Sequence, residues 1–550
     1  MNILGIRFGH DSSAALMSDG RLVADVAEER FARIKHFSGL PTESVSYCLE
    51  AGGIGSMDLD MIAVASNRGD PGLNHLFRLE SKAAAPRGEK QIPPLYFKQF
   101  PVSSRCLVVQ VEHHLAHAAC GYYASPFREK ALIVTCDGLG GGVSVGVWRG
   151  ENGIITALEK FPAAGSVGCF YSNVTEALGW MHGEGEGITM GLAAYGDHAK
   201  CQGVLEGFHP RYEAGRLARP HDFGMSYIWN ERGACELHFE QADAIKALAN
   251  RHGAEHIAAE AQRVLEEQIA EIVYPWLKTE NTRTLCCAGG VFLNVKLNQR
   301  IWYSGKVDKH FVYPNAGDSG LAHGAAMWAA CNEARETLAD APLHLYYGPQ
   351  YSDDEVQALL KARDIRYRVS DRIEDEAADA LAANRIVAWF QGRMESGPRA
   401  LGNRSILMSP SKAENKDIIN SRVKFREAFR PFCPSMLEEA APEYIERPKP
   451  EPFMITSFDV KSAKAGRIPA VVHRDQTLRP QTVSKKINPR YWNLLNEFGK
   501  RTGDPVLLNT SFNIKGEPMI CSPREAIRGF FDSGIDLLVM GNVVVEKGKA

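Results

Sequence analysis

The chain has 550 residues, which is enough for two or more domains, and its 45% hydrophobic and 23% charged content is that of an ordinary globular protein. The net charge of −3 argues against the broad basic surface used to bind nucleic acids.

The first residues, MNILGIRFGHDSSAAL, lack the basic segment of a signal peptide, and their apolar run is interrupted at Arg7. No apolar run approaches the roughly 20 residues of a membrane span. The twelve cysteines form no CxxC pair. We therefore expect a cytoplasmic protein with packed thiols, including the adjacent Cys286 and Cys287.

The first elements form a strand, a polar loop and a hairpin. Asn2 to Phe8 predicts a strand, GHDSS a loop, and AALMSDGRLVADVAEER two strands joined by a turn at SDG. A helix is predicted near Pro41 in PTESVSYCLEAGG, with Thr42 as its N-cap.

Three histidines cluster in VEHHLAHAACGYYAS. If Val111 to Tyr123 is helical, His113 and His117 project from one face at i and i+4 and could hold one metal ion. His114 and His117, at i and i+3, are a second geometric possibility. Buried, hydrogen-bonded histidines without a metal remain the alternative. Imidazoles suit Zn, Fe or Cu, and added carboxylates would favour Fe or Mn.

A second copy of the N-terminal pattern begins near residue 131. ALIVTCD, GLGGG, VSVGVW, RGENG and IITALEKF predict a strand, a tight loop, a strand, a turn and a strand. This internal duplication is typical of the actin/hexokinase-like ATPase architecture, in which two loops bring backbone amides to a phosphate.

A third glycine-rich unit is TLCCAGGVFLNVKLNQRI. Thr284 to Ala288 predicts a strand, and Gly289 and Gly290 would let a ligand approach the backbone closely. VYPNAGDSGLAHGAAMWAA predicts a loop that leads into a helix, with Asp318 near its start. Residues 70–105 and 197–240 look irregular, and we interpret them as insertions that shape an acceptor pocket.

The character of the sequence changes at residues 335–352, which predict a linker and a new N-cap. A second domain then extends to the C-terminus. It contains a basic cluster interleaved with Gly, Pro, Phe and Ser, which favours a lined phosphate pocket over a solvated surface. Its residues are Arg393, Arg399, Arg404, Lys424, Arg426 and Arg430, and the polar residues Asn509, Thr510, Ser511 and Asn513 follow the apolar strand PVLLN.

Eight motifs in this order resemble the nodulation and cephamycin O-carbamoyltransferase family over nearly the whole chain. They are HDSSAA, EERFARIKH, HHLAHAACGYYAS, MGLAAYG, GGVFLN, GRMESGPRALGNRSIL, FREAFRPFCPS and LLNTSFNIKGEP. The resemblance implies an α/β fold with a TsaD-like (actin/hexokinase-like) domain at residues 1–345 and a YrdC-like α/β domain at residues 346–550.

The resemblance also implies the reaction. Carbamoyl phosphate and ATP, with Mg²⁺, would give carbamoyl adenylate in the C-terminal domain. The N-terminal domain would then transfer the carbamoyl group to a hydroxyl of a small molecule such as an antibiotic, a toxin or a sugar. A small-molecule acceptor is thus the expected partner, without nucleic acid or membrane, and a homodimer is the expected assembly.

Site residues follow from the motifs by the same resemblance. Fe²⁺, or another divalent metal, would be held by His113, His117, Asp137 and Asp318, leaving His114 as a supporting residue. His10 matches the catalytic histidine and Lys35 a lysine of the same site. The adenosine-binding motif is matched by Gly289, Gly290 and Asn294. The residues that hold carbamoyl phosphate and ATP are matched by Arg399, Lys424, Arg430 and Ser511, and the neighbouring Asn509, Thr510 and Asn513 are assigned to the same site.

One position departs from the family pattern: Ile188 stands where a lysine usually follows Glu-Gly. This change bears on one charged contact near the first site and on the type of acceptor. Two alternatives share parts of the pattern, namely a tRNA threonylcarbamoyladenosine-type enzyme and a non-catalytic actin-like nucleotide-binding protein. The absence of a basic surplus disfavours the first, and the second has no need of the cluster in KFREAFRPF.

Overall fold

A computed structural model describes residues 1–66, 102–229, 235–340 and 343–547. Most of the predicted insertion at 70–105 lies outside these residues. The described residues form two compact units: the first contains 1–65, 102–110 and the described part of 318–547, and the second contains residue 66 and the described part of 111–317. The first unit thus combines both ends of the chain, and the division predicted at residue 345 stays a prediction.

Strands and helices alternate in a mixed α/β fold. In chain order, the strands of the described residues are β1 Asn2–Arg7, β2 Ser13–Ser18, β3 Arg21–Ala27, β4 Met61–Ser66, β5 Leu107–Glu112, β6 Ala131–Gly140, β7 Val143–Glu151, β8 Ile154–Pro162, β9 Arg211–Glu213, β10 Arg216–Arg219, β11 Met225–Trp229, β12 Cys235–Phe239, β13 Thr284–Ala288, β14 Lys309–Val312, β15 Arg368–Val369, β16 Val387–Phe390, β17 Arg404–Met408, β18 Cys433–Leu437, β19 Phe458–Asp459, β20 Thr477–Leu478, β21 Gln481–Val483, β22 Val506–Ser511, β23 Leu537–Met540 and β24 Val543–Glu546. The α-helices are Glu29–Ala32, Thr42–Gly52, His113–Tyr123, Val167–Ala177, Glu186–Ala193, Ala242–His252, Ala254–Thr279, Val295–Tyr303, Leu321–Asn332, Asp353–Ala362, Ile373–Ala382, Asn415–Ile419, Ala441–Tyr444, Ser462–Ala465, Pro489–Thr502 and Pro523–Phe531.

Two five-stranded sheets have the same strand order. The first runs β3-β2-β1-β4-β5 and the second runs β8-β7-β6-β13-β14. In both, the first three strands form an antiparallel meander, and the first strand pairs in parallel with the fourth. The predicted internal duplication is confirmed by this shared topology, which is that of the actin/hexokinase-like fold.

The first sheet is covered by helices that match the alternation of its side chains. Leu4 and Ile6 of β1 join a buried cluster with Val45 and Leu49 of the helix Thr42–Gly52. Gly5 faces the helix Leu321–Asn332 so closely that a Cβ would lie 1.9 Å from the backbone oxygen of Ala322. Glycine is therefore required at this position of the strand.

The C-terminal part of the first unit contains a mixed sheet with the strand order β15-β24-β23-β16-β17-β22-β18-β21. Its central strands β16, β17 and β18 are fully buried. Ser405 of β17 pairs with Ser511 of β22, and Cys433 of β18 pairs with Asn509. The ends of β17, β18 and β22 thus bring residues that are distant in sequence to one edge of the sheet.

Several predicted boundaries differ from the structure. Thr42 is not an N-cap, because the helix begins at Thr42 and the carboxylate of Glu28 accepts hydrogen bonds from the amides of Glu43 and Ser44. The segment GLGGG is not a loop throughout, since β6 continues to Gly140 and the turn lies at Gly141 and Gly142.

Two further expectations concern irregular regions. The described part of 197–240 is more regular than expected, because it contains the hairpins β9–β10 and β11–β12. The predicted N-cap after the linker is confirmed, since Ser352 and Glu355 form a capping box at the helix Asp353–Ala362. In the part of the chain that the structure describes, no helix has the length and apolar character needed to cross a membrane.

Candidate functional site

The histidine helix starts two residues later than predicted. Val111 and Glu112 end β5, and the Glu112 carboxylate caps the helix by accepting hydrogen bonds from the amides of His114 and Leu115. This cap fixes the first turn of the helix. His113 and His117 consequently lie one turn apart and face β6 at Asp137, the residue that follows the buried part of this strand.

His113, His117 and Asp137 form a three-donor cluster within the second unit. The Nε2 atoms of both imidazoles lie 3.3 Å from the same Asp137 Oδ2, and both histidine side chains are 1% exposed. Burial alone would raise the pKa of Asp137, but the hydrogen bonds from the two histidines outweigh burial and hold this pKa well below its usual range. A Cβ at Gly140 would lie 2.2 Å from the His113 ring, so the strand can pass the imidazole only with glycine at this position.

Two imidazole nitrogens and one carboxylate oxygen that converge in this way are chemically suited to a divalent transition metal. The donors fit Fe²⁺, Mn²⁺ or Zn²⁺, each of which accepts this combination.

His114 has a different role from its neighbours. Its Nε2 donates to the Val143 carbonyl at 3.0 Å, and its Nδ1 accepts from the Thr135 hydroxyl at 3.0 Å. Burial, followed by the charges of His113 and His117, lowers the pKa of His114 to about 3. Because both ring nitrogens are engaged, the structure favours His113 and His117 over His114 and His117 as the ligand pair.

Asp318, the remaining predicted metal ligand, belongs to the first unit. It begins a short 3-10 helix, Asp318–Gly320, directly before the helix Leu321–Asn332. Within that unit its Oδ2 accepts a hydrogen bond from Arg7 Nη2 at 2.8 Å. Its role as a ligand stays a prediction.

The basic cluster of the first unit is centred on Lys424, which the structure places in a short π-helix, Asn420–Lys424. Its ammonium donates to the backbone oxygen of Ser511 at 2.5 Å, to Asn513 Oδ1 at 2.7 Å and to the backbone oxygen of Asn513 at 3.1 Å. Burial, followed by the charges of Arg426, Arg430 and Lys35, lowers the pKa of Lys424 well below its usual range. Several cations therefore crowd this position.

The arginines of the cluster repel one another. Burial and the charge of Arg479 lower the pKa of Arg399 to about 9, and burial and Arg430 lower the pKa of Arg426 to about 9. The Nε of Arg399 is buried without a hydrogen-bond partner. An uncompensated buried donor beside like charges is the arrangement expected of a site that receives an anion.

Sequence reasoning missed Arg479. This residue lies on a segment between β20 and β21, and its Nε donates to Cys433 Sγ at 2.9 Å. Its charge acts on Arg399, Arg426 and Arg430. The sequence signal was weak, because a lone Arg in QTLRPQ carries no motif and only the fold brings it to the cluster.

Of the predicted polar residues near PVLLN, Asn509, Thr510 and Ser511 lie inside β22, which extends to Ser511. Asn513 follows the strand, as predicted. Ser511 Oγ donates to Asn513 Oδ1, so both side chains sit beside the Lys424 ammonium. The Asn509 amide is buried and donates to Ser435 Oγ at 2.9 Å, which makes it a link between strands. Thr510 pairs with Ile406 of β17.

His10 and Lys35 belong to the first unit. His10 lies in the loop between β1 and β2, its side chain is 60% exposed, and its Nδ1 is 2.9 Å from Asp11 Oδ2. Lys35 lies in a turn after the helix Glu29–Ala32, and its charge lowers the pKa of Lys424. Lys35 is thus electrostatically linked to the basic cluster. Its role in the same site as His10 stays a prediction.

The predicted adenosine motif follows β13. Gly289 has φ +100°, and a Cβ there would lie 2.3 Å from the Cys136 backbone oxygen, so this glycine serves the packing against β6. A Cβ at Gly290 would lie 3.0 Å from Asp137 Oδ1. Asn294 caps the helix Val295–Tyr303 and exchanges hydrogen bonds with Gln262. Nucleotide binding by these residues stays a prediction.

Ile188, the departure from the family pattern, lies in the first turn of the helix Glu186–Ala193 and is partly exposed. An isoleucine at this position presents an apolar side chain where a lysine would present a charge.

The family described as Carbamoyltransferase N-terminus matches residues 2–77 and 80–327, and the family described as Carbamoyltransferase C-terminus matches residues 378–547.

Similar proteins include nodulation protein NolNO of Sinorhizobium fredii, which is 35% identical over 99% of this chain and 80% of that protein. Nodulation protein NolO of Bradyrhizobium diazoefficiens is 37% identical over 80% of this chain and 79% of that protein. Nodulation protein U of Sinorhizobium fredii is 28% identical over 99% of this chain and 97% of that protein.

Proposed function

Since this chain belongs to the carbamoyltransferase family and is a transferase of carbamoyl groups, we propose that it is an ATP-dependent O-carbamoyltransferase. In this proposal it forms carbamoyl adenylate and then transfers the carbamoyl group to a hydroxyl of a small natural product. The observation that carries the proposal is the basic cluster around Lys424, in which burial, and then the charges of neighbouring cations, lower the pKa of Lys424 and Arg399.

The cluster is suited to two phosphorylated substrates. Arg399, Arg426, Arg430 and Arg479 present guanidinium groups that can bind phosphate oxygens in pairs, and Lys424 adds a point charge. Ser511 and Asn513 supply neutral partners next to it. Carbamoyl phosphate and ATP, the latter with Mg²⁺, are the ligands we assign to this site.

The first half-reaction would convert carbamoyl phosphate to carbamate and phosphate, with water supplying the oxygen. A carbamate oxygen then attacks the α-phosphorus of ATP, and pyrophosphate leaves. Negative charge develops on the transferring and leaving oxygens, and the arginines and Lys424 would stabilise it.

The second half-reaction needs a base, since an alcohol is a weak nucleophile at neutral pH. We assign this base to His10, whose imidazole is exposed and whose pKa is raised by its hydrogen bond to Asp11. We assign the metal site to His113, His117, Asp137 and Asp318, and the adenylate site to Gly289, Gly290 and Asn294. A bound Fe²⁺ or related divalent ion would supply Lewis acidity toward the carbonyl or phosphate oxygen.

The expected setting is the cytoplasm, where ATP is available and thiols stay reduced. Ten of the eleven cysteines that the structure describes are buried, as expected of packed cysteines in a reducing compartment. The expected partner is a small-molecule acceptor, and neither nucleic acid nor a membrane is assigned a role.

The test supplies the purified enzyme with ATP, Mg²⁺ and carbamoyl phosphate and measures pyrophosphate and AMP. We expect pyrophosphate release that depends on carbamoyl phosphate, followed by a mass gain of about 43 Da on an acceptor in a library of sugars, aminoglycosides, macrolides and other hydroxylated compounds, because one carbamoyl group replaces one hydrogen. Pyrophosphate release that needs threonine, or modification of tRNA, would instead favour a threonylcarbamoyl enzyme. Nucleotide binding without any turnover would favour a sensor.

A further inference from the structure

Two loops of the first unit are joined next to His10. Gly9 and Gly39 exchange backbone hydrogen bonds of 3.0 and 3.2 Å, and the Ser12 amide donates to the Phe37 carbonyl at 3.2 Å. The loop after β1 and the loop after EERFARIKH thus form one continuous surface. Residues 9–12 are held at a fixed distance from residues 36–39 by main-chain bonds.

Asp11 lies between two imidazoles on this surface. Its Oδ2 is 2.9 Å from His10 Nδ1, and its Oδ1 is 2.7 Å from His36 Nδ1. The two rings are stacked, with centroids 5.5 Å apart and planes inclined by 17°. Each oxygen of the carboxylate therefore has its own imidazole.

The backbone supports this arrangement at some cost. Asp11 has φ +53° and His36 has φ +51°, so both backbones are in the left-handed region. This conformation raises the free energy by about 1–2 kcal/mol per residue for ordinary side chains and by less for Asp. The His36 amide is fixed by Glu29 Oε2 at 3.0 Å. Two such residues side by side at a solvent-facing cluster point to a functional requirement for their geometry.

The hydrogen bonds determine the tautomer of both rings. A carboxylate can only accept, so each Nδ1 carries a proton, and in the neutral form of each ring Nε2 keeps its lone pair. The pKa of His10 is raised, mainly by the hydrogen bond to Asp11 and further by the negative charges of Asp11 and Asp318. Burial and the charge of His36 act in the opposite direction and lower this pKa. Because the His10 side chain is 60% exposed, its Nε2 can reach a substrate proton.

We propose that Asp11 is a positioning residue for the base of carbamoyl transfer: it holds His10 with Nε2 directed to the acceptor hydroxyl, while His36 fixes the other oxygen of Asp11. This inference rests on the proposed function. In the step, the hydroxyl proton moves to His10 Nε2, and the hydroxyl oxygen bonds to the carbonyl carbon of carbamoyl adenylate. The bond from that carbon to the phosphate oxygen breaks, AMP leaves with the electron pair, and the imidazolium returns its proton to water.

The test compares the Asp11→Asn variant with the wild type and with Asp19→Asn. Asp19 is a matched control, since it also has a positive φ but is exposed in the β2–β3 turn, where it pairs with the N-terminal amine. The first readout is the pH dependence of carbethoxylation of His10 by diethyl pyrocarbonate, followed by mass spectrometry of the peptide. This readout requires no catalytic turnover.

We expect Asp11→Asn to lower the pH at which His10 becomes reactive, because the carboxylate no longer stabilises the imidazolium. His36→Asn is the second variant. It removes an opposing positive charge and should shift the His10 midpoint upward. Opposite shifts in the two variants, with no shift in Asp19→Asn, would not result from a general loss of structure. A His10 midpoint that is unchanged in Asp11→Asn overturns the proposal.

The second readout is turnover. Asp11→Asn should reduce the kcat of transfer by about 10²–10⁴-fold, as loss of an orienting carboxylate does in related His–Asp pairs, with little change in the KM for the acceptor. Pyrophosphate release from ATP and carbamoyl phosphate should continue. Unchanged transfer in the presence of a shifted midpoint also overturns the positioning role. If the wild-type enzyme releases no pyrophosphate in response to carbamoyl phosphate, the proposed function is refuted. The carbethoxylation result then tests the arrangement of His10, Asp11 and His36 independently of that function.

Discussion

Lys424 combines burial with a like-charged environment. Its side chain donates to Ser511 and Asn513, while Arg426, Arg430 and Lys35 lower its pKa. A cluster of this kind is destabilising without an anion and is stabilised when phosphate oxygens enter it. The residues that we propose to bind the substrate are therefore expected to reduce the stability of the free protein.

Replacement of Arg430 by Ala tests this balance. Adenylate formation should fall by about 10²-fold or more, because one of the charges that stabilise the developing anion is lost. The melting temperature of the free protein should stay the same or rise, since repulsion decreases, but the stabilisation by added pyrophosphate should shrink. Pyrophosphate release and thermal shift assays measure these effects.

Arg422→Ala is the matched control, because Arg422 lies in the same segment but pairs with Asp536 at 2.8 Å. It should retain adenylate formation and the response to pyrophosphate. Normal carbamoyl-phosphate-dependent pyrophosphate release in Arg430→Ala would remove Arg430 from the site.

Replacement of His117 by Ala tests the metal site. The variant should lose the bound metal and most of the transfer activity, because one of two imidazoles that face Asp137 Oδ2 is removed. Elemental analysis of the purified protein measures occupancy, and His198→Ala, at an exposed position of the same unit, serves as control. Full occupancy in His117→Ala would exclude this residue as a ligand.

Among the secondary-structure elements, β3 is tied directly to the loop that carries Arg399. Ser396 Oγ donates to Asp25 Oδ2 at 2.5 Å, and Arg393 Nη2 donates to the Val23 carbonyl at 2.9 Å. Asp25 is 1% exposed, and its Oδ1 is buried without a hydrogen-bond partner. Burial raises the pKa of Asp25 to about 7, although the bond from Ser396 lowers it.

This carboxyl predicts a pH-dependent stability. Its pKa is about 3.9 in the unfolded chain and about 7 in the fold, so the folded state holds the proton more tightly. The free energy of unfolding should therefore fall as the pH rises from about 4 to 7. Asp25→Asn should be more stable than the wild type at pH 8, on the order of 1–3 kcal/mol, and this advantage should shrink toward pH 5.

Urea unfolding at pH 8, 6 and 5 measures the difference, with Asp19→Asn as an exposed control. An Asn variant that is less stable than the wild type at pH 8 would mean that the ionised Asp25 is favourable in the fold.

The sequence predicted elements better than their connections. The duplicated strand pattern, the strand Thr284–Ala288 and the Ser352 cap were recognisable because local periodicity and capping chemistry determine them. The capping of Thr42–Gly52 by Glu28 and the contribution of Arg479 depend on contacts between distant segments, which no local pattern records.

For the whole molecule, the two half-reactions should be separable by mutation. His10→Asn removes the proposed base while the Lys424 cluster is unchanged, so pyrophosphate release should persist and carbamate formation should fall by about 10²–10⁴-fold. Both products are measured in one assay. A parallel loss of both would contradict the two-step scheme, and no loss of either would transfer the role of base to another residue, with Lys35 as the next to test.

The first unit contains both ends of the chain, and this has a consequence for its biosynthesis. The strands β1 to β4 are synthesised before the segments that contact this part of the chain. The helix Leu321–Asn332, which covers Gly5, is made several hundred residues later. The carbonyl groups that accept hydrogen bonds from Arg30 and Arg33, those of Gly397, Pro518 and Met519, are made later still. The described residues of the second unit, apart from residue 66, all lie between residues 111 and 317, so this unit can complete most of its own contacts first. The N-terminal sheet must then wait with part of its apolar surface uncovered, which makes nascent chains stalled before residue 318 a target for chaperones and for aggregation.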